Sequence, residues 1–115
     1  MLKLFLIVAS LGVATEVMAT DRVPTLDVRP SCKAAATMGG EGGRTVESCL
    51  RSEQTNRDQL AKEWDQFAAA DRTRCVQATA GGFEPTYTEL LTCLEMARDT
   101  KVIERQQAGD KAKRP

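Results

Sequence analysis

The sequence predicts an all-α fold: small disulfide-stapled helical hairpins, about three helices, after an N-terminal signal peptide. Three observations predict it. An apolar run at the N-terminus has the length of a signal core, and four cysteines occur in 115 residues that contain no histidine. Glycine pairs also interrupt helical apolar periodicity about midway between successive cysteines.

Residues 1–19 read as the signal peptide. Lys3 supplies a positive start, and Leu4 to Ala14 form an apolar core too short for a spanning helix of about 20 residues. Val17-Met18-Ala19 places small residues at the −3 and −1 positions of a cleavage site, so cleavage is expected after Ala19. Glu16 cuts the apolar run short, and no cysteine sits beside the cleavage site to take a lipid. No stable membrane anchor is therefore expected after cleavage. The reading implies a periplasmic or secreted protein.

The mature chain divides into an extended N-terminal segment at 20–30, a helical disulfide-linked domain at 31–104 and a disordered polar tail at 105–115. Cleavage removes one base, Lys3, and one acid, Glu16, from totals of 16 each, so the charge stays balanced. Nucleic acid, which needs a clustered basic field, is excluded as a partner on that ground. A mean hydropathy of −0.34 allows only a thin core, and small domains of that kind usually need covalent staples.

Cys32, Cys49, Cys75 and Cys93 are the expected staples, and four cysteines allow three pairings. Gly39–Gly43 lies midway between the first two, and the Gly81–Pro85 segment lies between the last two. A chain reversing at each glycine segment brings equidistant residues together. Cys32–Cys49 with Cys75–Cys93 is the favoured pairing, and the nested alternative joins Cys32 to Cys93 and Cys49 to Cys75. The two halves share the order Cys, small residues, Gly-Gly, Thr, Cys-Leu, which follows from two hairpins obeying the same rules.

The helices follow in order. Ser31 after Pro30 is the expected cap of a short helix over Cys32–Thr37. Thr45 is the expected cap of the main helix, which carries Val46, Cys49, Leu50, Leu60, Trp64 and Phe67 at helical spacing. Its other face pairs Glu47 with Arg51, Glu53 with Arg57 and Asp58 with Lys62 at i, i+4. Beyond Ala68-Ala69-Ala70 the pattern permits either continuation to Cys75 or a bend near Asp71. Thr86-Tyr87-Thr88-Glu89 matches a capping box and opens a third helix whose stripe is Tyr87, Leu90, Leu91, Leu94 and Ala97.

Little in the chain suggests catalysis. The absence of histidine removes the commonest general base and metal ligand. The cysteines lack the close spacing of a zinc site or a redox pair, so neither metal nor cofactor is expected. Gly39–Gly43 is not followed by Lys-Ser or Lys-Thr, so it is no phosphate-binding loop. Most acids sit beside basic partners, the pattern of a solvated surface rather than of paired catalytic carboxylates. Trp64, with Leu60 and Phe67, is either core packed on Leu91 and Leu94 or an exposed contact for a protein partner. Lys111 to Arg114 read as part of the solvated tail.

Two stretches, Leu26-Asp27-Val28-Arg29-Pro30-Ser31-Cys32 and Glu89 through Asp99 (ELLTCLEMARD), resemble small exported four-cysteine proteins of rhizobia and related alphaproteobacteria. That resemblance spans most of the mature chain and implies location and fold, but no activity. The order Cys49, Trp64, Arg74, Cys75 also resembles the helical domain of lysozyme inhibitors of the lipoprotein type. The Trp-to-Cys spacing is longer here and the lipid-anchor cysteine is missing, so no inhibitory residue carries over. The functional expectations are a protein-interaction or accessory module of the cell envelope, with a lysozyme-inhibitor-like protein or a carboxylate-based envelope enzyme as alternatives.

Overall fold

A computed structural model describes residue 12, residues 21–39 and residues 43–114. The expected signal peptide and its expected cleavage after Ala19 lie, apart from residue 12, outside the described residues. The described chain is all-helical: α1 (Arg29–Met38), α2 (Val46–Glu63), a 3₁₀ turn (Trp64–Gln66), α3 (Ala69–Ala80) and α4 (Tyr87–Lys113). It thus has four α-helices where about three were expected, because the main helix divides.

Residues 21–28 form no helix, and Val23, Leu26 and Val28 pack on the core. Tyr87 pins them: its hydroxyl accepts from Leu26 N at 2.9 Å and donates to Pro24 O at 3.0 Å. Helix α1 starts at Arg29 rather than at Cys32, and Ser31 lies inside it instead of capping it. Pro30 explains the early start, since its fixed φ suits the first helical turn, where no N–H is needed.

The reversal between α1 and α2 depends on two glycines. A Cβ on Gly39 would lie 2.7 Å from Gly43 Cα, and one on Gly43 would lie 2.6 Å from Gly39 Cα. Only hydrogen fits at either position. Thr45 then caps α2, its Oγ1 accepting from Ser48 N at 3.1 Å.

Helix α2 lies parallel to α4. Glu53 meets Tyr87, Asn56 meets Thr88, Gln59 meets Glu95 and Glu63 meets Arg98, so numbering rises together along both. The break after α2 falls at Phe67 and Ala68, both extended, with ψ of 141° and 138°. It precedes Asp71, and it needs no glycine or proline. The staple requires it: a straight helix would carry Cys75 roughly 24 Å beyond the level of Gln59, far past Cys93. Reversal at Phe67–Ala68 returns α3 antiparallel along α4 instead. Trp64 and Phe67 turn into the core at the corner, beside Leu60, Cys75, Tyr87, Leu90, Leu91 and Leu94.

Thr86 caps α4, accepting from Glu89 N at 3.1 Å. The helix then runs to Lys113, so residues 105–113, expected to be a disordered polar tail, are helical and exposed throughout. Glu104 to Ala108 are good helix formers, and Lys111 and Lys113 lie in the last turn, where cations favour the helix.

Candidate interaction surface

The cysteines pair sequentially. Cys32 is bonded to Cys49 and Cys75 to Cys93, with Cα–Cα distances of 5.5 and 5.7 Å. With all four consumed, there is no free thiol. Among the described residues no group of three or more cysteines and carboxylates could hold a metal ion. No helix among them is long and apolar enough to cross a membrane.

Trp64 is 4% exposed and belongs to the core cluster, where Arg72 lies 5.8 Å from its ring centroid. An aromatic side chain enclosed to this degree does not present itself to a partner. The reading of Trp64 as a partner contact is corrected on that ground, and the surface it covers is internal.

The acids are engaged rather than poised. None of the expected pairs Glu47–Arg51, Glu53–Arg57 and Asp58–Lys62 is among the ion pairs of the described residues. Glu53 is instead buried between α2 and α4, where its Oε2 accepts from Tyr87 N at 2.6 Å and from Thr88 N at 3.4 Å. The Thr88 hydroxyl donates to its other oxygen. Asp71 is buried as well and is held by Arg74 at 3.0 Å and by Lys101. The Arg98 hydrogen bond to Glu63, helped by Gln59, holds the Glu63 carboxyl below its ordinary range. Arg29 does the same for the exposed Asp27. A cleft of about 350 Å³ between the α2–α3 corner and α4 contains Asp65, Asp71, Arg98 and Lys101. Asp71 and Lys101 are paired with each other there, and Arg98 is paired with Glu63.

The opposite side of α4 is different. A shallow groove of about 550 Å³ lies along α4 beside α3, lined by Arg74 of α3 and, on α4, by Thr88, Glu89, Thr92, Cys93, Met96 and Thr100 among others. Met96 is 65% exposed, and Ile103, one helical repeat of seven residues further on, is 52% exposed. Thr92 Oγ1 donates to Thr88 O at 2.7 Å, and Thr100 Oγ1 donates to Met96 O at 2.9 Å. With both hydroxyls committed to the helix backbone, the floor of the groove is largely apolar. The sequence held one signal of this face: Met96 stands three residues after Cys93 and outside the Tyr87–Leu90–Leu91–Leu94 stripe.

Comparison with protein-family models, with curated proteins and with solved structures gives no match.

Proposed function

We propose that this protein acts outside the cytoplasm, periplasmic or secreted, as a non-catalytic interaction or accessory module of the cell envelope, binding a protein partner through the α3–α4 groove. One observation carries the reading: an apolar groove centred on an exposed methionine lies on a helix pair locked by a disulfide. Methionine is flexible and polarizable, which suits it to a recognition surface. The two disulfides support an oxidising compartment, as do the N-terminal apolar segment and the resemblance to small exported alphaproteobacterial proteins. Asp71 is neutralised by two cations and Glu63 is held ionised by Arg98, which supports binding over carboxylate catalysis.

The test is capture from envelope extract with the mature, oxidised protein as bait, compared with its Met96→Lys variant. A partner retained by the parent and lost by the variant, with the far-UV circular dichroism unchanged, is the expected result. Equal capture by both would remove the groove from the proposal.

A further inference from the structure

We propose that Cys75–Cys93 is an exchangeable disulfide, opened by an incoming thiolate that enters the α3–α4 groove and attacks Cys93 Sγ, and that its opening frees α3. The two cystines differ in access. Cys32 and Cys75 are 0% exposed and Cys49 is 6% exposed, whereas Cys93 is only half-buried and lines the groove beside Met96 and Thr92. Exchange requires approach to one sulfur, so its rate depends on which sulfur can be reached. Cys93 is the reachable one. Arg74 and Glu89 line the same groove with opposite charges, and Arg74 is itself paired with Asp71, so access rather than local charge selects Cys93.

Besides the cystine, helix α3 is held at its corner by Arg72, which lies near the Trp64 ring and pairs with Asp65, and along α4 by few buried groups. Its buried residues are Asp71, Cys75 and Thr79, so its one fully enclosed apolar group is the cystine itself. Val76 is half-buried against the core. The ion pair from Asp71 reaches Lys101, whose side chain is 43% exposed and therefore well screened. Cutting the S–S bond leaves α3 with only these weaker ties to α4. Trp64 and Phe67 sit at the corner that leads into α3, so they gain water when it moves.

The electron balance closes with a thiol as reductant. The attacking thiolate forms a new S–S bond to Cys93 as the Cys93–Cys75 bond breaks, and Cys75 leaves with the electron pair. The released Cys75 sulfur then takes a proton from water. A second thiol on the reductant then displaces Cys93 from the mixed disulfide and leaves with an oxidised pair of its own. The chemical class of the partner is a low-pKa dithiol, as in thiol–disulfide oxidoreductases. The inference stands independently of the groove's role in protein binding.

The experiment treats the oxidised full protein with limiting glutathione, followed by acid quench, alkylation and mass mapping of non-reduced peptides. Cys75 and Cys93 should become reducible at least ~10-fold faster than Cys32 and Cys49. The early glutathione adduct should lie on Cys93, and Trp64 emission should shift to the red while Cys32–Cys49 is still intact. Met96→Trp, a change at an exposed position that fills the groove, should slow opening of Cys75–Cys93 several-fold and leave the other disulfide's rate alone. Equal rates for the two disulfides, an adduct on Cys75, or no effect of Met96→Trp would each overturn the assignment.

Discussion

Replacing Glu53 probes the joint that sets α2 beside α4. This carboxylate, 5% exposed, receives the Tyr87 amide at 2.6 Å, the Thr88 amide at 3.4 Å and the Thr88 hydroxyl. A net hydrogen bond to a charged group is worth about 1.5–3 kcal/mol, and an orphaned buried donor costs a similar amount. The buried Tyr87 amide takes the full value. Thr88 is exposed, so water replaces much of what it loses, and its two bonds together add only about 0.5–1 kcal/mol. The negative charge at the positive end of α4 adds up to about 1 kcal/mol. Glu53→Ala should therefore cost about 3 kcal/mol. Glu53→Gln keeps an acceptor for Tyr87 but loses the charge, and should cost about 1–1.5 kcal/mol. Urea unfolding of the oxidised proteins, followed by far-UV circular dichroism, measures both. A loss below 1 kcal/mol for Glu53→Ala, or equal losses for the two variants, would refute the account of this joint.

Trp64→Ala should cost about 3–5 kcal/mol, the usual range for emptying a buried Trp site, and a normally stable variant in chemical denaturation would overturn its place in the core. Deleting residues 109–115 should shift the thermal midpoint by less than about 4 °C, because residues 109–114 are exposed and touch no core residue. The same deletion should lower helical ellipticity, since α4 reaches Lys113. Glu63→Gln should matter at neutral pH and not in acid. A carboxyl whose folded pKa lies below the unfolded value near 4.5 contributes stability above that value and loses it as pH falls through the depressed one. With Glu63 and Arg98 25% and 39% exposed, the difference at pH 7 should be about a few tenths of a kcal/mol, closing as the pH falls below the depressed folded value. A gap that widened in acid would contradict the pairing.

The parts of this fold legible in the sequence are those governed by local chemistry. Thr45 and Thr86 cap their helices through their own hydroxyls, and a threonine two to four residues after a glycine turn announces that role. The glycine segments told where the chain reverses, and equal arms on each side told which cysteines meet. The features that were not legible depend on partners distant in sequence. Nothing near Glu53 separates it from Glu47, yet one faces solvent and the other enters α4, because only the neighbouring helix supplies a bare N-terminus. Ala68-Ala69-Ala70 favours helix by propensity, and the chain breaks there because Cys75 must return to Cys93. Met96 carries no local signal of its neighbour α3, because along α4 alone it lies outside the apolar stripe. Its meaning appears only once α3 is placed beside it.

The same logic explains why so thin a core suffices. Each cystine closes a short loop, with partners 17 and 18 residues apart, and in the chain-entropy model each such closure is worth about 3 kcal/mol. That contribution falls on the helices whose only fully buried apolar residue is a cysteine. Helix α1 encloses only Cys32, and α3 encloses Asp71, Cys75 and Thr79. Helices α2 and α4 instead meet through Leu60, Leu90 and Leu94, all fully enclosed, and through the Glu53 joint. The protein is therefore a packed α2–α4 pair carrying two helices that are covalently clipped to it. Stability and exchange divide along that line. Losing a core side chain weakens the pair and with it the whole domain, whereas opening the Cys93 clip first changes the position of α3 and the shape of the groove it lines.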